Sequence, residues 1–209
     1  MFSDELTGRR AAVVDAVSGR SLTYASLEGA VARLAGQLAA AGGGQRIALI
    51  APNELVTLVA FLAIVRTGAA AAPINPALTE GETQRMITEL EVDRVLCPSS
   101  VPPAPGADVV DDASFELAQS SDASPLPAVD RPDAVALLLQ TSGTTGRPKA
   151  VPIRQRNLAT SATTIGRTYE LGPRDVAYGV MPLFHVHGLV GIGLSTLASG
   201  GTMVLGAPT

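Results

Sequence analysis

The run "IALI" at Ile47–Ile50 carries no polar residue on either side of a pleat, so a strand made from it must be covered on both faces. A doubly covered strand needs helices packed above and below it, and the neighbouring sequence supplies them. Upstream, "SLTY" is a short extended segment whose Thr23 can cap a helix running through Ala41. Leu27, Val31, Leu34 and Leu38 recur there at helical spacing, and Gly42 to Gly44 end the helix. Downstream, a hydrophobic helix opens after Asn53 and runs to about Thr67. "AAAAPINPAL" is then extended, because Pro73 and Pro76 exclude helix. Thr79 can cap "EGETQRMITEL", which leads into the strand "DRVLCP". Strand and helix alternating in this way predict an α/β fold, a mostly parallel sheet with crossover helices.

Residues 99–133 differ, being rich in Pro, Ser and Asp, and read as a surface connection with a short strand near "DVV". A strand (Val135 to Gln140), a polar loop, a second strand (Ala150 to Ile153) and a helix (Arg156 to Tyr169) follow. The last unit is the strand "VAYGVMP", an apolar helix after His187 and the strand "TMVLG". No internal repeat is evident. Thr209 comes directly after that strand, which leaves the sheet with little after it as cover. The expectation is a portion of a larger domain.

Composition excludes several classes. Hydrophobic residues make up 46% and charged residues 16%, which is a chain able to bury a core. Aromatic residues are 3%, with no Trp, which argues against modules that stack nucleic-acid bases on aromatic platforms. Fifteen Lys and Arg against 19 Asp and Glu, a net charge of −4, leave no electrostatic footprint for nucleic acid or an anionic membrane. The most apolar stretch, Leu55 to Val65, is stopped by Arg66 and falls short of the ~20 residues of a membrane span. "MFSDELTGRR" has no long apolar run typical of a secretory leader, so a soluble cytoplasmic protein is expected. The single cysteine, Cys97, reads as a small buried residue at a strand end. His185 and His187 have no Cys or carboxylate nearby, a poor transition-metal set.

The polar loop within "LLLQTSGTTGRPKAVPI" (residues 137–153) carries the chemistry. It does not match a nucleotide-binding P-loop: Lys149 trails Gly146 by three, no Ser or Thr follows it, and the next segment is extended rather than helical. The dipole of a helix N-terminus is therefore not available to it. Thr141, Ser142, Thr144 and Thr145 nonetheless offer hydroxyl donors, and Gly143 and Gly146 let backbone N–H groups approach an oxyanion closely. Lys149 adds a mobile positive charge and Pro148 stiffens the chain before it. For an arbitrary loop of this composition, a Gly- and Thr-rich hairpin with no ligand is the plainer reading.

"TSGTTGRPKAV", Thr141 to Val151, resembles the signature phosphate loop of the adenylate-forming superfamily: acyl-CoA synthetases, luciferases and the adenylation domains of peptide synthetases. "RQRNL" follows it at Arg154 to Leu158, as such enzymes usually show. "MPLFHVHGL", Met181 to Leu189, is similar to the family's next motif, an aromatic–His pair lining the acyl pocket. "SLTYASLEGAVARLAGQL" resembles, more loosely, its N-terminal helix start. "PLFHVHGL" is also similar to the branch that holds oxalate–CoA ligases and related acyl-CoA synthetases.

The resemblance implies ATP- and magnesium-dependent activation of a carboxylic acid, followed by transfer of the acyl group to a thiol, usually coenzyme A. Thr141, Ser142, Gly143, Thr144, Thr145, Gly146 and Lys149 would hold the β- and γ-phosphates. Phe184 and His185 would line the acyl pocket, with His185 at the junction of acyl group and α-phosphate, where an imidazole N–H meets developing negative charge. The plainer reading of His185 is an imidazole satisfied by local backbone. His187 either faces the pocket or solvent. Gly188, Gly191 and Gly193 either let their helix pack closely or leave room for substrate.

Beyond "LFHVHGL" the resemblance implies elements that this sequence does not contain: the motif holding adenine and magnesium, the aspartate for the ribose hydroxyls, a hinge, and a small C-terminal domain with a catalytic lysine. Residues 1–209 are thus expected to be the N-terminal portion of an AMP-binding domain, inactive alone, with magnesium ligands mostly elsewhere. Two alternatives stay open: a naturally short, non-catalytic relative acting as a binding or regulatory module, and an unrelated anion-binding domain. Apolar surface left uncovered by truncation predicts self-association as a homodimer.

Overall fold

The computed structural model describes residues 10–119, 123–141 and 149–206, with the side chain of Thr141 excepted. Two sheets share the core. A four-stranded sheet has the order β2–β1–β10–β9, from β1 (Ala11–Asp15), β2 (Ser21–Thr23), β9 (Val176–Gly179) and β10 (Thr202–Leu205). A six-stranded sheet has the order β6–β5–β3–β4–β7–β8, from β3 (Arg46–Ile50), β4 (Ala70–Ile74), β5 (Arg94–Pro98), β6 (Asp108–Val110), β7 (Val135–Thr141) and β8 (Lys149–Arg154). All neighbours run parallel except β1 with β2 and β7 with β8. The α/β expectation holds, as two mostly parallel sheets rather than one.

The helices form where local signals place them. In α1 (Tyr24–Ala40), Thr23 caps the N-terminus by accepting from Ser26 N at 3.1 Å, and Leu27, Leu34 and Leu38 point into the core. The helix α2 (Leu55–Thr67) is apolar all round and buried along most of its length, as befits a helix with packing on every side. It ends at Gly68, whose φ of 92° is a left-handed conformation that glycine adopts without strain. In α3 (Glu80–Glu89), Thr79 and Glu82 form a reciprocal capping box. The last long helix is α4 (Gln155–Thr168).

Four features depart from expectation. The strand β1 was not legible, because its parallel partner β10 comes from the far end of the chain, Val13 facing Met203 in register. The strand β10 lies between β1 and β9 with Met203 and Leu205 fully buried, so the last strand is internal and the sheet edge is β9. The segment "VAYGVMP" is extended only to Gly179, since Val180 N turns back to Tyr178 O at 3.0 Å and Pro182 has no N–H for a ladder. The helix after His187 opens with eight residues of π-helix (His187–Leu194) before α5 (Ser195–Ala198). Gly188, Gly191 and Gly193 weaken the α-helical preference there, and such wide turns gather at functional sites.

Candidate functional site

Parallel strands all end on one side, and in open α/β sheets that carboxyl end is where ligands bind. The residues leaving β1, β3, β4 and β10 (Val17, Pro52 and Asn53, Asn75 and Pro76, Gly206) line a cleft of about 760 Å³, which Pro182 and Phe184 close from the segment after β9. The polar loop leaves the same end of the six-stranded sheet, since β7 runs parallel to β4. Its two ends are paired across the ladder, Thr141 opposite Lys149.

Most charged groups on the cleft wall already have partners. Asp15 accepts from Val17 N at 2.9 Å and from the Ser18 hydroxyl at 2.5 Å. Burial raises its pKa, but these hydrogen bonds and nearby Arg20 outweigh that and hold the carboxyl below its ordinary value. The Arg20 guanidinium donates to the carbonyls of Asp112 and Ala113 at 2.5 and 2.9 Å and lies 5.1 Å from the Phe115 ring centre. Glu54 accepts from the Ser100 hydroxyl at 2.7 Å. Two buried acceptors in this lining, Asn53 Oδ1 and Asp112 Oδ1, have no partner.

Of the residues expected from sequence, Lys149 is exposed at the head of β8. Thr141 ends β7; Ser142, Gly143, Thr144, Thr145 and Gly146 lie outside the described residues. Phe184 is half-buried in the cleft, its ring centre 4.5 Å from that of His185 at an interplanar angle of 49°. His185 is exposed; its N–H donates to Pro182 O at 3.1 Å and its carbonyl accepts from Leu189 N at 2.9 Å. Those bonds fix its backbone and leave the imidazole out of the local network. His187 is exposed at the start of the π-helix, where a methyl group on Gly191 would meet its ring at 3.4 Å. Gly188 is buried so closely on the carbonyls of Met181 and Pro182 that a methyl there has no room, and Gly193 packs against Met203. Close packing is the visible role of both.

Sequence reasoning missed Asn53. Its side-chain Nδ2 donates to Gly179 O at 3.1 Å and to Gly206 O at 3.0 Å, joining the end of β3 to the ends of β9 and β10. The only signal was an Asn directly after a buried strand. Among the described residues, no group of three His, Cys, Asp or Glu is placed to hold a metal ion, and no helix is long and apolar enough to cross a membrane. Cys97 is buried beside the carbonyls of Val101 and Pro102, and burial raises its thiol pKa.

Comparison with known proteins agrees with this architecture. The sequence pattern of the family described as AMP-binding enzyme matches residues 3–209. An oxalate–CoA ligase from Arabidopsis thaliana is 37% identical over 213 residues, covering 91% of this chain and 41% of that protein. ATP-bound MatB from Rhodopseudomonas palustris is similar with a TM-score of 0.83 at 29% identity, over 98% of this chain and 43% of that one. A malonyl-CoA ligase in a ternary product complex with methylmalonyl-CoA and AMP is similar with a TM-score of 0.80 at 32% identity, over 100% of this chain and 43% of that one. The chain therefore spans about two fifths of the length of these relatives. Two parallel sheets meeting at their carboxyl ends, a Gly/Thr loop on one and an aromatic–His turn on the other, are the N-terminal elements of this fold, and the chain belongs to the AMP-binding enzyme family.

Proposed function

We propose that this chain is the N-terminal part of a ligase that activates a carboxylic acid with ATP and passes the acyl group to coenzyme A, and that it does not complete the reaction alone. The observation that carries the reading is the complete "TSGTTGRPK" loop anchored at both ends by the Thr141–Lys149 rung, on the ligand-binding end of the sheet. The donor set fits a polyphosphate: hydroxyls, glycine N–H groups and one lysine, with no carboxylate among residues 141–149. Among the described residues no cluster fits magnesium, and the reading places its ligands mostly outside this chain.

ATP, when bound, supplies an electrophilic α-phosphorus for the acid's carboxylate and pyrophosphate as leaving group. The residues of the chain position and neutralise. Thr141, Ser142, Gly143, Thr144, Thr145, Gly146 and Lys149 hold the β- and γ-phosphates, and Lys149 offsets charge on the departing pyrophosphate. Phe184 forms an apolar wall on the acid side, with Gly188 packed behind its turn. His185 offers an imidazole N–H to negative charge where acid and phosphate meet, and His187 lies at the rim of the same pocket. The reading includes a cytoplasmic site of action and self-association through the apolar edge at β9.

Two measurements test it. Calorimetry should detect ATP binding to the 209-residue chain, and binding should weaken when Thr144, Thr145 or Lys149 is replaced by Ala. Pyrophosphate release across a panel of carboxylic acids should be absent for this chain. Robust turnover would overturn the claim of incompleteness, and failure to bind ATP would overturn the phosphate-loop assignment.

A further inference from the structure

Phe184, half-buried, and the exposed His185 sit on a turn that Leu183 pins to the core, and where that turn starts depends on where β9 ends. The core cluster spans both sheets, so each sheet is held to the body of the protein. That packing is non-directional and by itself sets no hydrogen-bonded register between the strand ends. Among the described residues, the side-chain hydrogen bonds that tie the end of β3 to the ends of β9 and β10 come from Asn53. Asn53 Nδ2 spends both N–H groups, one on the carbonyl ending β9 and one on the carbonyl following β10, at 3.1 and 3.0 Å. Two carbonyl partners dictate which end of the amide is nitrogen.

Asn53 itself is anchored. The Pro52 carbonyl before it accepts from Glu54 N at 2.9 Å and from the buried Thr57 hydroxyl at 2.6 Å, and Ala51 N donates to Ile74 O at 2.9 Å. From Gly179 the chain makes the tight turn at Val180, then enters the Met181–Pro182 segment on which Gly188 is closely packed. The His185 N–H and carbonyl close the next turn onto Pro182 and Leu189. The chain from Asn53 to His185 is therefore short and tied at each step.

We infer that Asn53 is a positioning residue: it fixes where β9 ends relative to the six-stranded sheet, and through that exit sets the places of Phe184 and His185. Asn53 also keeps a buried Oδ1 without a partner in the cleft wall, an acceptor still open to an N–H or O–H donor. The role in chemistry rests on the reading of His185 given above; the positioning does not.

The sequence has two histidines, so ring NMR of the whole chain gives two Hε1 signals, assignable with H187N. Asn53→Ala removes both donors. Asn53→Asp keeps the shape but sets a carboxylate oxygen against two carbonyls, and it serves if Asn53→Ala does not fold. Gln37→Ala is the control, a buried side chain that accepts from Leu117 N at 2.9 Å and lies outside the cleft lining. The expected result is a shifted or split His185 signal in the Asn53 variants and unchanged signals in Gln37→Ala, with all three losing some stability. A His185 signal that stays at its wild-type position in the folded Asn53 variant overturns the inference. ATP titration of the same samples separates the two readings. If ATP leaves the wild-type His185 signal unmoved while the Asn53 variant still moves it, the catalytic role of His185 fails and the positioning stands.

Discussion

Thr141 and Lys149 face each other on the last rung of the β7–β8 ladder, so the segment of seven residues between them is bracketed by one paired rung. A loop clamped in this way keeps part of its ordering cost in the hairpin rather than in ligand binding. Lys149 stands at the mouth of that loop and offers the ammonium nearest its base.

Replacing Lys149 by Ala should weaken ATP binding about 10- to 100-fold, the range of a charge-assisted hydrogen bond of about 1.5–3 kcal/mol. Lys149→Arg should restore only part of it, because a guanidinium fork is not a compact point charge. Titration calorimetry at two salt concentrations checks this, and unaltered affinity in Lys149→Ala would remove the residue from the phosphate site.

Tyr24 is fully buried, and its hydroxyl lies 2.7 Å from Gly201 O and 3.2 Å from Leu197 O. Burial pushes the phenol up to about 12, with Arg10 opposing. A folded pKa above the ordinary 10.0 means that the stabilisation is complete below pH 10 and is lost as pH rises toward 12. Absorbance titration should show one of the three tyrosines ionising late, and Tyr24→Phe should abolish that step. The same variant should cost about 1–3 kcal/mol by stranding buried carbonyls.

Acid should act in the opposite sense. Asp93 accepts from Arg46 N and Gln45 N at 2.8 Å each, and these bonds hold its carboxyl below the ordinary 3.8. The Thr79 hydroxyl and N–H do the same for Glu82 below 4.5, and Ser114 for Asp111. Depressed carboxyls stabilise the fold above their ordinary values, and that contribution fades as pH falls from about 4.5 through the folded values. In Asp93→Asn, which can still accept both N–H groups, thermal denaturation between pH 5 and about 2.5 should show a shallower pH slope. An identical slope would mean that Asp93 titrates alike in both states.

The edge strand β9 exposes Val176 at 66%, Tyr178 at 54% and, just beyond it, Val180 at 53%. An uncharged apolar edge favours pairing with another chain. Sedimentation of the 209-residue chain should therefore show a dimer at high concentration, and Val176→Lys with Val180→Lys should shift it to monomer. A monomeric wild-type chain would refute this.

Elements set by local chemistry were legible in the sequence. Thr23 and Thr79 cap helices, and the continuous apolar run at Ile47–Ile50 demands cover on both faces. Cys97 is buried, as a small residue at a strand end should be. The phosphate-loop motif is likewise a local pattern, since its spacing alone separates it from a P-loop. Pairings between distant segments were decided only by the tertiary structure. A strand as short as β1 acquires its identity from β10, about 190 residues away, and the division into two sheets follows from that pairing. Asn53 shows the same limit at the site. Its neighbours in sequence say nothing of Gly179 or Gly206, and an amide becomes a clamp only when folding brings two strand ends within reach of its two N–H groups.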